Sequence, residues 1–369
     1  MEPKIQYHNI MKKLIVSLIG MLPWMAWAQV PDGYYDNALN KSGYELKRAL
    51  WQCIFRHEQL SYAELWTAFG ETDVDGDGYI IDMYNDCLFE FQEDQCGSGS
   101  SGNEQDQCVC YNREHSMPKS WFDDGYPMYT DLFHLYPVSG YVNSRRSNYP
   151  FGEVKEGRAT FTSTAGSQLG TCGYPGYGKT VFEPVDEYKG DFARTYFYMA
   201  TCYQEKVANW KSDMLAGNNQ QTFTDWAKNM LLEWHEQDPV SEKEIARNNA
   251  VYEIQGNRNP FIDYPELVEK IWGDDDTPFT GEEEGDSDGT GVEEAFWNQC
   301  SLHVSGRFLQ LEYKGGLFDS VEIVDVSGRQ ICHSSVKQSS FAFTLPAAGV
   351  YIVRIQKGRL NTAKKISVL

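Results

Sequence analysis

The chain has 369 residues, of which 41% are apolar and 14% aromatic, and its formal net charge is −21 at neutral pH. This length predicts two or more folded units, and the apolar content excludes a mainly disordered protein. A strongly acidic chain argues against wide electrostatic adhesion to nucleic acid, so any such contact must be local.

Residues 1–28 are predicted to be a secretory signal peptide. Lys12 and Lys13 precede an apolar run that closes on Ala26-Trp27-Ala28, which gives a basic head, an apolar stretch and a small-residue cleavage site. A short buried helix is the alternative. No other run reaches transmembrane length, so we expect a mature chain without a transmembrane segment, exported through the periplasm to the cell surface or the exterior.

Residues 29–272 are expected to form the main domain. Ser241, with Glu244 three residues later, predicts a capping box at the start of a helix. A short extended piece at 79–84 interrupts the helical pattern. We therefore predict an α+β domain that is mainly helical and contains a small β element. Apolar residues recur at helical spacing in four segments, at 36–54, 193–210, 223–237 and 241–254.

The stretch DVDGDGYIID at 73–82 is a candidate for a second, calcium-binding site. Asp73, Asp75 and Asp77 fall at positions 1, 3 and 5 of an EF-hand-like loop. Tyr84 stands where the glutamate of position 12 is expected, although Asp82 at position 10 offers a partial substitute. The missing glutamate favours the alternative, a tight Asp/Gly turn.

The cysteines fit an exported protein. An oxidising compartment favours disulfides, and an odd number in the main domain leaves one thiol unpaired unless a bond crosses between regions. Zinc at Cys108-Val109-Cys110 is the alternative, but no second ligand pair stands at the usual spacing. Cys300 and Cys332 lie in the C-terminal tail, and the main domain holds Cys53, Cys87, Cys96, Cys108, Cys110, Cys172 and Cys202.

The stretch YNREHSMPKSWF at 111–122 places Glu114 beside His115. Chemically, this stretch and the one after it suit phosphodiester hydrolysis, because histidine takes a proton from water and guanidinium groups match phosphate oxygens. Carboxylate and amide oxygens suit Mg²⁺ or Ca²⁺. On an extended backbone, neighbouring side chains point to opposite sides and could flank a phosphate. The following segment, 130–154, adds His134, Asn143, Arg145, Arg146 and Asn148.

These motifs resemble the bacterial endonuclease I family, which comprises secreted or periplasmic nonspecific nucleases with a ββα-metal (His-Me finger) site. The resemblance rests on NREHSMPKSWF, DLFHLYPVSGYVNSRRSNYPFGEV and RNNAVYEIQGNRNPFIDYPELVEKIW, and it covers most of 35–272. It implies a general base at His115 and a Mg²⁺ ion, or Mn²⁺ or Ca²⁺ at the same site, on Glu114 and Asn143. Arg146 and Asn148 match the family's RSN, which implies phosphate contact and support of the active-site helix.

The chain also departs from the family. Phe133 stands where many members have a histidine. A further arginine that stabilises the transition state in some members does not align, so Arg113 and Arg145 are both candidates for substrate contact. Arg258 and Asn248 are weaker candidates for the same role. We expect His134 to belong to the core or to support the site, and His57 and His235 to be structural.

The last hundred residues change character twice. Residues 273–296 are predicted to be a solvated linker, because 273–294 holds ten acids and no base. Residues 297–369 alternate at period two between Gly and Pro turns, which predicts a small all-β sandwich. VEIVDVSGRQI, LPAAGVYIVRI and KKISVL resemble the C-terminal sorting domain of Bacteroidetes proteins and imply the type IX secretion machinery as a partner. A generic carbohydrate-binding or adhesive sandwich is the alternative.

The combined expectation is a secreted, metal-dependent, nonspecific endonuclease that cleaves DNA, with RNA left open, to 5′-phosphate products. A monomer is expected. The rival is a noncatalytic surface binding protein built on a degenerate nuclease fold. The net charge of −18 over 29–272 favours this rival. The joint presence of Glu114, His115 and Asn143 argues against it.

Overall fold

The computed structural model of the protein describes residues 30–97, 106–281, 300–314, 318, 320–325, 329–334, 339–357 and 360–368. The predicted signal peptide and most of the predicted linker lie outside the described residues. Within the described part of the chain, no helix is both long and apolar enough to span a membrane.

The helices of the main domain follow the predicted pattern. The four predicted segments correspond to α1, to α4 with α5, to α6 and to α7. The predicted capping box is confirmed, because the Ser241 hydroxyl accepts the Glu244 N–H and the Glu244 carboxylate accepts the Ser241 N–H. The helices are α1 (Gly43–Ile54), α2 (Glu64–Thr72), α3 (Gly140–Arg146), α4 (Lys189–Cys202), α5 (Gln204–Val207), α6 (Asp225–Gln237), α7 (Glu242–Gln255), α8 (Pro260–Asp263) and α9 (Leu267–Trp272).

Two small antiparallel sheets accompany these helices. The first pairs β1 with β2, and the second has the order β3-β4-β5. Residues 79–84 form only isolated bridges instead of the extended piece that was expected. The α+β mixture is confirmed, but a mainly helical domain is not, because long connections such as 73–97 lack both helices and strands. The strands are β1 (Tyr111–His115), β2 (Leu135–Ser139), β3 (Val154–Thr162), β4 (Gln168–Cys172) and β5 (Thr180–Glu183).

The central element of the domain is α4, all of whose residues are buried. A helix that is surrounded on every side needs apolar or internally paired side chains all round, and α4 carries large apolar residues together with Arg194, which is paired with Glu244. It packs against α1, α6 and α8. The Tyr196 hydroxyl on α4 donates to the Ser116 carbonyl at 2.8 Å, which ties the core helix to the end of β1.

The predicted linker begins too early. Phe279 is buried, its ring centroid lies 5.1 Å from that of Tyr264, and its N–H donates to the Lys41 carbonyl at 2.9 Å. Together with the contacts of Lys270 to Asp275 and Thr277, this aromatic side chain holds the segment as far as Gly281 against the main domain.

The tail is all-β, as predicted. Its two sheets have the orders β10-β7-β6 and β12-β11-β8-β9. Alternate residues of β7 are buried, and they share one apolar core with Val321 and Ile323 of the other sheet. The strands are β6 (Cys300–Ser305), β7 (Phe308–Tyr313), β8 (Ser320–Asp325), β9 (Gln330–Ser334), β10 (Ser340–Thr344), β11 (Gly349–Lys357) and β12 (Leu360–Val368).

Candidate active site

Strands β1 and β2 and helix α3 form one local unit. The register places Glu114 opposite Tyr136 and His115 opposite Leu135. The chain passes from β2 into α3 without a loop, and the Ser139 hydroxyl caps the helix by accepting the Val142 N–H at 3.3 Å. Helix α3 packs against both strands, so its side chains reach the end of β1.

The Glu114 carboxylate is buried and held in one orientation. Its Oε1 accepts hydrogen bonds from the Tyr84 hydroxyl and from Arg146 Nη1, both at 2.8 Å. Burial raises the pKa of the Glu114 carboxyl, although the neighbouring guanidinium lowers it. Both of these side-chain donors bind Oε1, so Oε2 is the carboxylate oxygen that neither of them engages.

Arg146 acts here as an internal clamp. Its guanidinium is only 1% exposed and also donates to the backbone carbonyls of His115, at 2.9 Å, and of Ser116. The ring of Phe151 covers it, with the ring centroid 4.8 Å from Cζ. The buried guanidinium uses Nη1 and Nη2 within the protein and offers almost no exposed surface, so a direct phosphate contact stays a prediction.

His115 points to the opposite side of β1 from Glu114, as the alternation of an extended strand requires. Its Nε2 lies 3.0 Å from the Tyr129 carbonyl oxygen. A carbonyl can only accept, so Nε2 carries the proton and Nδ1 carries the free lone pair. Burial lowers the pKa of His115 well below its ordinary value, and the neighbouring His134 adds to this effect. The ring is therefore neutral and able to accept a proton at Nδ1.

Aromatic rings surround this histidine. The ring centroid of Tyr129 lies 5.1 Å from that of His115, and the centroid of Tyr62 lies 6.2 Å away, both nearly parallel to it. His134 is fully buried at 5.4 Å, and its Nε2 lies 2.6 Å from the Met128 carbonyl. These contacts fix the imidazole plane, so little reorganisation is needed before it accepts a proton.

Asn143 is half-buried on α3, one turn before Arg146. Residues three apart share a helix face, so Asn143 lies on the same side of α3 as the arginine that reaches Glu114. The unit therefore presents a carboxylate and an amide on neighbouring elements. This donor set fits Mg²⁺, which binds one or two protein oxygens and keeps several waters.

Three of the predicted substrate residues lie near this unit. Arg113 Nη1 donates to the Tyr62 carbonyl at 2.5 Å, and Cζ lies 3.5 Å from the Tyr62 ring centroid and 4.2 Å from that of Trp66. Arg145 and Asn148 are exposed at the end of α3. Of the three, these two are open to a substrate, and their role stays a prediction.

Arg258 and Asn248 belong elsewhere. Arg258 is 2% exposed and binds Asp263 through Nε at 2.8 Å and Nη2 at 2.6 Å. The Asn248 amide donates to the same carboxylate at 2.9 Å. Both side chains thus belong to a buried network at the α7–α8 connection, and the suggested contact with the substrate stays a prediction.

At the candidate calcium loop, Asp73 and Asp75 have separate partners within the protein. Asp73 is buried against Arg247, with Oδ1 2.8 Å from Nε. Asp75 Oδ1 accepts the N–H groups of Asp77 and Tyr79, which makes a tight turn. The turn that was the alternative is the arrangement observed.

Asp82, the last member of that loop, caps two neighbouring segments. Its Oδ1 accepts the N–H groups of Tyr84 and Asn85, and its Oδ2 accepts the Ser139 N–H at 3.1 Å. Burial raises the pKa of Asp82 to about 7. This carboxyl joins the loop to the junction between β2 and α3, and it thereby helps to position α3 at the site.

Four of the seven main-domain cysteines form two disulfides, which join Cys87 to Cys108 and Cys96 to Cys110. These bonds exclude zinc at Cys108 and Cys110, because both sulfurs are already bonded. The pair closes the segment that precedes β1. Gly140, at the start of α3, fits tightly here, since a Cβ at this position would lie 2.7 Å from the Cys96 sulfur. The thiols of Cys53, Cys172 and Cys202 are free.

A second group of metal-ligand residues lies in the core. Among the described residues, His57, Asp131 and Cys202 bring their ligand atoms within 4.8 Å of one another. Hydrogen bonds account for this group, because Asp131 Oδ2 accepts the hydroxyls of Tyr198 and Tyr203 at 2.8 and 2.6 Å. Burial raises the pKa of the Cys202 thiol, which keeps it protonated and a poor ligand. His57 is structural here.

His235 is structural as well, between Arg194 and the Pro265 carbonyl. Phe133, at the family's histidine position, packs against Tyr198 with ring centroids 4.5 Å apart.

Sequence reasoning missed the parts played by Tyr84 and Tyr129. Tyr84 was noted only as the residue in place of a loop glutamate, and Tyr129 acts through a backbone carbonyl that every residue type possesses.

The chain is similar in sequence to proteins that are named as nucleases. The family profile described as Endonuclease I matches residues 42–266. An extracellular ribonuclease of Bacillus amyloliquefaciens is 35% identical over 277 residues, which cover 72% of this chain and 89% of the relative. An extracellular ribonuclease of Bacillus subtilis is 36% identical, covering 65% and 78%. A periplasmic deoxyribonuclease of Aeromonas hydrophila is 29% identical, covering 36% and 47%.

Proposed function

Because the chain belongs to the endonuclease I family, we propose that it is a secreted, metal-dependent nuclease that hydrolyses phosphodiester bonds. The observation that carries the proposal is the division of β1 into two faces. Glu114 is clamped by Tyr84 and Arg146 on one face, and His115 is held by the Tyr129 carbonyl on the other. Together with α3, these strands are proposed to be the ββα-metal unit.

In this proposal His115 is the general base. Its Nδ1 takes a proton from the water that attacks phosphorus, the new P–O bond forms, and the bond to the 3′ oxygen breaks. The 3′ oxygen leaves as a hydroxyl after taking a proton from solvent, so the phosphate remains on the 5′ side. The Tyr129 carbonyl stabilises the imidazolium that forms, because it accepts from Nε2.

Glu114 and Asn143 are proposed to hold a divalent cation, with Mg²⁺ favoured by their hard oxygen ligands. A cation bound there supplies stabilisation of the negative charge that develops on the phosphate oxygens. The part of Arg146 is indirect. Its hydrogen bonds to Glu114 Oε1 and to the His115 carbonyl keep the ligand and the base in a fixed relation.

Broad substrate use is proposed as well. The compared relatives carry names for ribonucleases and deoxyribonucleases, which supports activity on both DNA and RNA. The site residues that the fold brings together address a phosphate and a water, and neither group differs between the two polymers. The mechanism assigns no residue to the sugar, so it does not distinguish ribose from deoxyribose.

The route out of the cell is the remaining part of the proposal. We assign 1–28 as a signal peptide and 297–369 as a sorting domain for type IX secretion, on the motifs given above. Deleting 297–369 should leave an active nuclease in the periplasm of the native host. Normal appearance of the truncated chain in the medium would refute the sorting assignment.

The proposed activity is tested by nicking of supercoiled plasmid. The full mature chain should relax and then linearise plasmid in Mg²⁺, and an excess of EDTA should stop this. End-labelling of the products should find the phosphate on the 5′ side. A folded, Mg²⁺-loaded chain that leaves both plasmid and RNA intact would overturn the proposal in favour of a noncatalytic binding protein.

A further inference from the structure

One tyrosine near the proposed base remains open to solvent. The ring of Tyr126 is 46% exposed, and its centroid lies 5.3 Å from that of Tyr129, nearly edge-on. Tyr129 in turn lies 5.1 Å from His115 and holds its Nε2 through the backbone carbonyl. Tyr126 is therefore separated from the base by a single ring.

The other rings of this group are already covered. Tyr62 has the Arg113 guanidinium 3.5 Å from its centroid and Tyr129 at 4.8 Å. Tyr129 contacts His115 and Tyr62 and has Lys119 Nζ 5.2 Å from its centroid. Tyr126 is thus the member of this group with a large aromatic surface left for a ligand.

Two lysines lie near this group of rings. Lys206 Nζ is exposed and donates to the Tyr126 carbonyl at 3.2 Å. Lys119 is 47% exposed and pairs with Asp124 at 3.0 Å. Lys206 therefore places a positive charge beside Tyr126, whereas the charge of Lys119 is paired with Asp124 and lies over the Tyr129 ring. An aromatic platform with positive charge beside it is the arrangement that binds single-stranded nucleic acid.

We propose that Tyr126, with Lys206 beside it, forms a subsite that stacks one unpaired nucleobase next to the scissile phosphate. This inference rests on the proposed nuclease function. Stacking is tolerant of sequence because every base has a π-face, and it does not require the 2′-hydroxyl. A base within a duplex is already stacked on its neighbours. The subsite therefore gives the enzyme a preference for single-stranded DNA and RNA over duplex.

The test uses the full mature chain and two readouts. Binding of a fluorescent 12-nucleotide single-stranded DNA is measured by anisotropy in EDTA, and its cleavage is measured in Mg²⁺. Tyr126→Ala should weaken binding and raise KM about ten-fold at unchanged kcat, because stacking is a binding interaction. Tyr126→Phe keeps the ring and should behave as wild type. Lys206→Gln should weaken binding less, and only at low salt.

Tyr149→Ala is the matched control, because this tyrosine is 39% exposed and lies after α3, outside the group of rings around His115. Its binding and KM should not change. Cleavage of duplex plasmid should fall less than cleavage of the oligonucleotide in Tyr126→Ala. Equal binding and KM in wild type and Tyr126→Ala would overturn the subsite, and so would an equal loss in Tyr149→Ala.

The two readouts separate this inference from the nuclease proposal. A wild-type chain that binds the oligonucleotide through Tyr126 but never cleaves it would sustain the subsite and sink the nuclease function. A chain that cleaves normally without any dependence on Tyr126 would do the reverse. A wild-type chain that neither binds nor cleaves would overturn both.

Discussion

Two regions of the main domain offer carboxylates for a metal ion, and the fold treats them differently. In the segment 73–82, Asp73 is taken by Arg247, Asp75 by its own turn, and Asp82 by three backbone N–H groups. In β1, both side-chain partners of Glu114 bind one oxygen, and an amide side chain lies on the adjoining helix.

The supply of hydrogen-bond donors around acidic residues therefore indicates a metal site better than the spacing of those residues does. An Asp/Gly loop is rich in backbone N–H groups, and these satisfy its carboxylates locally. A strand pairs its own N–H groups with a neighbouring strand, so Glu114 depends on side chains brought from elsewhere. On this ground we propose the ion at Glu114 and not at the loop.

The largest expected effect is on catalysis at β1. His115→Ala should cut the single-turnover rate about 10²–10⁴-fold, because the group that accepts the water's proton is gone. Circular dichroism and thermal melting should show a folded chain. Imidazole added to the buffer should restore part of the rate to this variant. A rate close to that of wild type would remove His115 from the mechanism.

The next effect concerns the clamp that distinguishes Glu114 from the loop. Arg146→Ala leaves a buried carboxylate and two backbone carbonyls without their donor and should cost about 3–5 kcal/mol of unfolding free energy. Arg145→Ala, at the exposed neighbour, should cost almost nothing. Urea unfolding followed by tryptophan fluorescence compares the two. Equal, small losses would mean that Arg146 is not a structural clamp.

Asp82 should give the loop a pH dependence. Its folded-state pKa of about 7 lies above the value of an unfolded aspartate, so its contribution to stability is complete below pH 4 and is lost as the pH rises towards 7. Between pH 5 and 7 wild type should lose about 2 kcal/mol more than Asp82→Asn. Parallel stability–pH curves for the two proteins would show that Asp82 is already ionised at pH 5.

The smallest expected effect is that of calcium on the loop. Changing Asp73, Asp75 and Asp77 together to Asn should lower the melting temperature by the same amount in CaCl₂ and in EDTA. The loss comes from the weakened bond to Arg247, which costs about 1.5–3 kcal/mol. A loss confined to the calcium buffer would restore the ion-binding loop.

Features that depend on neighbours within a few residues could be predicted from the sequence, and partners far apart in the chain could not. The Ser241–Glu244 capping box and the alternation of the tail strands depend on neighbours within a few residues, and both were predicted. The partner of Asp73 is 174 residues away in the chain, and no local pattern announces it. Without that partner, an Asp at every second position resembles an ion site.

The orientation of the paired arginines was equally hidden. Adjacent residues on a helix point about 100° apart, so one of Arg145 and Arg146 had to face inward, but the sequence does not say which. The cap at Ser139 and the packing of α3 on β1 decide it, and they turn Arg146 onto Glu114. The motif resemblance assigned the Arg146 guanidinium to phosphate, whereas in the structure it donates to Glu114.

The magnesium dependence of single-turnover plasmid cleavage decides whether the metal ion binds at Glu114 and Asn143 or at the loop. Wild type, Glu114→Ala, Asn143→Ala and the triple Asp73, Asp75 and Asp77 variant would be compared at equal enzyme concentration. Glu114→Ala and Asn143→Ala should need far more Mg²⁺ for half-maximal rate. The triple variant should reach half-maximal rate at the same Mg²⁺ concentration, the midpoint, as wild type. A shifted midpoint in the triple variant, with wild-type midpoints in the other two, would contradict a metal site at Glu114 and Asn143.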